Sequence, residues 1–265
     1  MYMSEFGKIY TDKSYQQIWD ESEDLYGDLL KYKVLIFKNV KTTLEDQLKL
    51  MEHFYPSNQY TRIVKEVDHK PFFDFFEGKG LPVPGSEEFF VRWHTDDSWL
   101  EETVDINCIH MFKLDDPITG GQARWVDLEK IYTLLDQNTI DFIKNIKVAL
   151  HWSAHNKNDP TYRSSTESHA HRTLRTHPET GKTSVYYPGL TTIGKDQDKW
   201  SDYTYLLLKL FQDKDNIFSL DWEENDLVIW DNRCTAHCLM GGFQLGTRVF
   251  NKIEIGKSKP FYDGE

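Results

Sequence analysis

Cysteine is scarce in this 265-residue chain: Cys108, Cys234 and Cys238 are too few, and odd in number, for a disulfide framework. That usage suits a reducing compartment, and the opening stretch MYMSEFGKIY lacks the basic-then-apolar layout of a signal peptide. A cytoplasmic protein is expected. Long hydrophobic runs are missing as well. No window nears the roughly 18 continuous apolar residues of a membrane span, so no membrane partner is expected. Positive charge is in short supply, with 31 Lys and Arg against 43 Asp and Glu, a net charge of −12. Phosphate binding shows as a basic patch, so a nucleic-acid partner is not expected either. No internal repeat or low-complexity run occurs, which excludes solenoids and disordered linkers.

What the chain does have is core material, 39% hydrophobic and 14% aromatic residues, in a length that suits one β-rich domain. Residues 13–31 place Tyr15, Ile18, Trp19, Leu25, Leu29 and Leu30 at helical spacing, and Thr43 to Tyr55 predicts a second helix. The short apolar run Lys33 to Val40 between them predicts a buried strand, so residues 1–55 read as a buttress. From Pro56 to Ser86 no period survives, which suggests a lid whose Tyr60, Arg62, His69, Phe72 and Phe73 line a substrate pocket. Strands are expected at Val104 to Leu114, in QARWVDL and at Lys147 to Trp152, with short helices at Leu128 to Leu135 and Thr139 to Ile146. The polar stretch Asn156 to His171, with Tyr162, Arg163, His169 and His171, reads as an insertion at a barrel mouth. RTLRTHPETGKTSVYY reads as a hairpin turning at Pro178 to Gly181, and Asp198 to Asp213 as a helix. KPFYDGE reads as a loosely tethered tail.

The stretch from Trp222 to Glu254 organises the rest. An acidic turn leads into Leu227-Val228-Ile229-Trp230, Asp231-Asn232-Arg233 breaks the pattern, and His237 follows. Eleven residues later Arg248 opens an alternating run through Val249, Phe250, Ile253 and Ile255. Strand, turn, strand, loop, strand is the expectation, with His237 and Arg248 on neighbouring strands facing one interior. Far upstream, His94 and Asp96 are two apart, and on a strand such side chains leave the same face. With His237 they make two histidines and a carboxylate, the facial set that holds non-heme iron(II) and leaves positions open. Arg248 would clamp a carboxylate through two parallel hydrogen bonds. The rival pairs are weaker. Cys108 and His110 suit a core, and Cys234 with Cys238 around His237 falls short of the four ligands of structural zinc. His177, in a turn, reads as structural.

The chain resembles the taurine dioxygenase-like family of iron(II)/2-oxoglutarate-dependent dioxygenases. The resemblance rests on WHTD (Trp93 to Asp96), GGQARWVDL (Gly120 to Leu128), RTHPETGK (Arg175 to Lys182), WDNRCTAH (Trp230 to His237) and Arg248, in the family's order across residues 85 to 256. It implies a mainly β fold with flanking helices, a double-stranded β-helix (jelly-roll, cupin-like) core at 85–256 within a single domain 1–265. It implies His94, Asp96 and His237 as ligands of Fe(II), and Arg248 as the 2-oxoglutarate contact, with Ala123 and Trp230 beside it. Dioxygen completes the cofactor set. The reaction implied is hydroxylation or desaturation of a small acidic or amino-acid-like substrate, with release of succinate and CO2. Halogenating relatives carry a small residue at the Asp96 position, so Asp96 favours hydroxylation or desaturation. Two positions depart from the pattern: Ala123 stands where many members have a cosubstrate-holding threonine, and Lys252 where taurine dioxygenase has a substrate-binding arginine. Lys252, Arg175, Arg163 and Tyr60 are the expected substrate contacts. The alternative is a non-catalytic 2-oxoglutarate or metal sensor with the same fold. The partner expected is a small molecule, and assembly with further copies of the chain is left open.

Overall fold

Side-chain alternation along the strands decides what faces what in this molecule. The computed structural model describes residues 6–56, 61–67, 93–115, 120–150, 169–187, 189, 192–194, 197–241, 243 and 247–264. The first strands are β1 (Lys8–Tyr10), β2 (Val34–Phe37), β3 (Thr61–Val67), β4 (Thr103–Leu114) and β5 (Ala123–Asp127). Shorter ones follow: β6 (Lys147–Leu150), β7 (His171–Arg172), β8 (Leu174–Thr176), β9 (Thr183–Val185) and β10 (Thr192–Gly194). β11 (Ile217–Leu220), β12 (Leu227–Asp231), β13 (Thr235–Leu239) and β14 (Arg248–Ser258) complete the set. A six-stranded major sheet runs β1-β2-β12-β4-β14-β3, and a minor sheet runs β11-β5-β13. Among the described strands only the β1–β2 pair is parallel.

The period of two sorts the major sheet's residues into layers. Leu35, Phe37, Ile106, Cys108, Leu227, Ile229, Ile253 and Ile255 form one buried cluster with residues of three helices, α1 (Tyr15–Asp20), α2 (Ser22–Tyr32) and α3 (Leu44–Phe54). The alternate residues Val34, Ile36, Val228 and Trp230 pack instead against Ala123, Trp125 and Leu220 of the minor sheet. Behind the minor sheet, Val126 and Ala236 bury against α4 (Leu128–Thr133), α5 (Gln137–Ile143) and α6 (Gln197–Gln212). The order is therefore helices, major sheet, interior, minor sheet, helices. The fold is mainly β and that of a double-stranded β-helix, as expected.

Several local expectations are corrected. Residues 13–31 form two helices, because Glu21 leaves helical geometry at φ −100 and ψ 16. Ser14 caps the first through a capping box with Gln17, a motif that contributes about 1 kcal/mol. The segment expected to be irregular contains β3, paired with β14 from Thr61 to Val67; Tyr60, His69, Phe72 and Phe73 lie outside the described residues. His171 is on β7 and buried, its Nε2 2.7 Å from the Leu100 carbonyl, so it is not part of a solvated loop. The C-terminal stretch is tied down: Thr176 donates its amide to Phe261 at 2.7 Å and its hydroxyl to Asp263. Lys33, at a left-handed helix C-cap (φ 66), sends its ammonium to Asp127 at 2.9 Å and Glu129 at 3.1 Å. That buried contact welds the N-terminal segment to the end of the minor sheet. No helix among the described residues is long and apolar enough to cross a membrane.

Candidate active site

β14 carries two faces with different tasks. Ile253 and Ile255 enter the helix-side core, so the alternate residues Arg248, Phe250, Lys252 and Glu254 turn to the interior between the sheets. β13 alternates likewise: Ala236 packs outward against α4–α6, and His237 turns inward beneath Trp230, ring centroids 5.1 Å apart. His237 and Arg248 thus share an interior, but not as neighbours. They come from facing sheets, because Asn232 to Cys234 carries the chain from one sheet to the other.

His94 joins β13 through a single antiparallel bridge. Its amide donates to the His237 carbonyl, and the His237 amide donates back, both at 2.9 Å. Such a reciprocal pair sets both side chains on one face, and the two rings stand 4.2 Å apart. The expected strand through Asp96 stops at that bridge. Thr95 turns inward, its hydroxyl donating to the Tyr187 and Thr235 carbonyls at 3.1 and 3.3 Å, and Asp97 is left-handed at φ 52. Asn232 then fixes Asp96. Its side-chain oxygen accepts the Asp96 amide at 3.0 Å, and its NH2 donates to the Asp96 and Val104 carbonyls at 3.2 and 2.9 Å.

The result is a convergent set. One ligand atom each from His94, Asp96 and His237 lies within 4.8 Å of the others. His94 Nε2 is 3.6 Å from Asp96 Oδ1 and His237 Nε2 is 3.5 Å from Asp96 Oδ2, longer than ordinary hydrogen bonds. Burial opposes ionisation of Asp96, but Lys252, His237 and His94 outweigh it and hold the carboxyl well below its usual range. Burial, reinforced by His94, holds the His237 imidazole well below the usual histidine range and so neutral. A charged carboxylate beside a neutral imidazole is the state metal ligation needs. Those residues fit a divalent cation.

Lys252 is not free in this arrangement. Its ammonium lies 2.8 Å from Asp96 Oδ2 and 3.1 Å from Glu254, which keeps it charged although burial opposes that. Glu254 also binds Arg62, which reaches Asp97 at 3.1 Å. Burial, then Glu254, pushes the Asp97 carboxyl up to about 6. Arg248 contrasts with this dense network. Its guanidinium lies 3.8 Å over the Phe243 ring and donates to the Gly121 carbonyl at 2.8 Å. Nε has no partner, no carboxylate among the described residues pairs with it, and burial lowers its pKa to about 10. Gly121 makes room: at φ +70, an added Cβ would stand 2.7 Å from Arg248 Nη1. Ala123 and Trp230 lie in the buried cluster between the sheets.

Other predicted residues go elsewhere. Arg175 stacks on Tyr186, 3.6 Å from the ring centroid, and lines a different cavity. Tyr60 and Arg163 are outside the described residues. Cys108 and His110 are buried in β4, as read. A second convergent set, His177, Asp231 and Cys234, is closed by its own hydrogen bonds. His177 Nδ1 accepts the amides of Glu179 and Thr180, so Nε2 carries the proton to Asp231 at 3.0 Å. Arg233 grips both Asp231 oxygens at 2.9 and 2.7 Å and reaches Glu179 at 2.5 Å. Burial, then Asp231, pushes the Cys234 thiol well up, so it stays protonated. Sequence reasoning missed Asn232, Glu254 and the Arg62–Asp97 pair. Asn232 stood inside a quoted motif, and the alternation of β14 could have pointed to Glu254.

Double-stranded β-helices of this layout are the fold of a class of dioxygenases. Residues 4–251 match the model of the "Taurine catabolism dioxygenase TauD, TfdA family", and the chain belongs to that family. It is a 2-oxoglutarate-dependent dioxygenase. An alkylsulfatase of Acinetobacter baylyi is 24% identical over 254 residues, covering 87% of this chain and 75% of that protein. The (S)-phenoxypropionate/alpha-ketoglutarate-dioxygenase of Sphingobium herbicidovorans is 22% identical over 240 residues, covering 81% and 78%. AAD-2, solved in complex with Mn(II) and N-oxalylglycine, is similar in fold with a TM-score of 0.72 at 19% identity, covering 98% of this chain and 97% of the other.

Proposed function

We propose that His94, Asp96 and His237 hold iron(II), that Arg248 takes the distal carboxylate of 2-oxoglutarate, and that the enzyme hydroxylates or desaturates a small organic acid. The observation that carries this reading is Arg248: a buried guanidinium with no carboxylate among the described residues, on the same β14 face as Lys252, which touches Asp96. A charge so buried calls for an anion. When bound, iron(II), 2-oxoglutarate and dioxygen supply the oxidising power, with succinate and CO2 released.

The chain's own residues do the rest. Asn232 holds the Asp96 backbone, and Lys252 occupies one Asp96 oxygen, leaving the other for the metal. The Phe243 and Gly121 cradle orients Arg248. Ala123 offers no hydroxyl, so the guanidinium and backbone carry the cosubstrate's polar contacts. Trp230 walls off the site from beneath and keeps water from the His237 side.

An acidic substrate accords with the phenoxypropionate in one relative's name. An anion meeting Lys252 has to compete with Glu254, so Arg163 or Tyr60 would have to share that task. The place of β2 inside the major sheet supports treating 1–265 as one domain. The test is succinate formation from 2-oxoglutarate with iron(II) in air, with and without a panel of small carboxylates, amino acids and sulfate esters. Slow succinate release that one acid accelerates is the expected result. Tight 2-oxoglutarate binding with no succinate under any condition would make the chain a sensor.

A further inference from the structure

Arg175 is buried, 4% exposed, yet its Nε and Nη2 reach no hydrogen-bond acceptor and it pairs with no carboxylate among the described residues. It lies flat over the Tyr186 ring, 3.6 Å from Cζ to the centroid. Stacking of this kind falls well short of what a buried charge loses on leaving water. Beside it is a cavity of about 40 Å³, lined by Thr103, Arg175, Thr176, Arg233, Ser258 and Lys259 together with two prolines and Phe261. Three of those side chains are cationic and none is acidic. The other two cations already have partners: Arg233 is bonded to Asp231 and Glu179, and Lys259 to Glu101. Arg175 alone of the three is left without an ionic partner among the described residues. Asp105, a carboxylate whose charge acts on Arg175, spends its oxygens on Tyr55 and Ser258.

We propose that this cavity is a second anion site, separate from the cosubstrate site, that takes one monoatomic anion of chloride size against the Arg175 guanidinium. The volume decides the size class. It exceeds the roughly 10–15 Å³ a single water needs, but a carboxylic acid or sulfate ester of substrate size would not fit. Burial lowers the Arg175 pKa, which an anion in contact would reverse. The placement also suggests what the ion does. Arg175 belongs to the hairpin whose His177 and Glu179 lock onto Asp231 and Arg233, so an anion would neutralise the one charge that the lock leaves open.

The experiment uses the full chain. Crystals grown in sodium bromide should show an anomalous peak in the cavity within hydrogen-bond distance of the Arg175 guanidinium. In solution, the melting temperature should rise by a few degrees from gluconate to chloride buffer of equal ionic strength, since gluconate is too large to enter. Arg175→Met should abolish that chloride dependence. Should Arg175→Met fail to fold, Lys259→Ala, on the exposed rim, should weaken chloride binding several-fold while leaving succinate formation unchanged. Water alone in the cavity, a melting temperature indifferent to the anion, or occupancy only at molar bromide would overturn the proposal.

Discussion

Among the described residues, two clusters hold a histidine, an aspartate and a cation at close quarters, and they differ in how far their polar atoms are spent on one another. In the hairpin lock, His177 Nε2, both Asp231 oxygens and three Arg233 nitrogens are spent on one another and on Glu179. In the site between the sheets, two imidazole nitrogens face Asp96 at 3.5 and 3.6 Å, longer than ordinary hydrogen bonds, and Arg248 has no counter-ion among the described residues. The residue types are nearly the same, yet hydrogen-bond saturation separates a structural clamp from a binding site. The family motifs divide along the same line: RTHPETGK and the Asp231 and Arg233 of WDNR build the clamp, while WHTD, Asn232, His237 and Arg248 build the site.

The difference can be broken by substitution. His237→Ala should reduce turnover to background and weaken Mn(II) binding, read by electron paramagnetic resonance, by more than the ~10–100-fold typical of losing a ligand's supporting partner. Its urea midpoint should stay near that of the parent. Retained metal affinity would remove His237 from the ligand set. Asp231→Asn should do the reverse, costing about 3–5 kcal/mol of stability because Arg233 is left buried without its carboxylate. The folded fraction should bind metal normally, and a loss of metal stoichiometry there would mean that the clamp is itself a metal site. Arg248→Met should raise the 2-oxoglutarate dissociation constant about 10–100-fold, the worth of a charged hydrogen-bonded contact, with metal affinity unchanged in anaerobic calorimetry.

A further effect is a pH slope, gentle over any one pH unit. Burial, then Arg175, depresses the His171 pKa from 6.5 to about 3. The unfolded chain therefore binds a proton between those values that the folded chain refuses. Stability is full above pH 6.5 and falls as pH drops toward 3, by up to about 1.4 kcal/mol per pH unit from this one group. Urea denaturation across that range should show a shallower slope in His171→Gln than in the parent. Equal slopes would mean that His171 is protonated in the folded state.

The convergence of His94, Asp96 and His237 was partly legible because it uses local rules. Spacing of two suggested a common direction for His94 and Asp96, although the extended backbone ends at His94 and Asn232 fixes Asp96 instead. The alternation of β14 separated Arg248 and Lys252 from Ile253 and Ile255. What alternation cannot say is which sheet a strand joins. Asn232 to Cys234 looks like a hairpin turn, yet it passes the chain between sheets, so His237 and Arg248 meet face to face instead of side by side. β3 escaped notice because TRIVKEV is an edge strand with four charged or polar residues in a segment without period. The charge partners were out of reach for another reason. Lys33 meets Asp127 across 94 residues, and His177 meets Asp231 across 54, distances over which no periodicity carries information. Lys252, read as a free substrate contact, is bound by Asp96 and Glu254 for the same reason.

The central claim is that the open cluster, not the saturated one, holds metal and cosubstrate together. Anaerobic titration of the metal-free protein with iron(II) and 2-oxoglutarate tests it most directly, through the weak visible charge-transfer band of the chelate. The band should form in the parent and in Asp231→Asn, and be absent in His237→Ala. No band in the parent with iron bound, or a band that survives His237→Ala, would contradict the account.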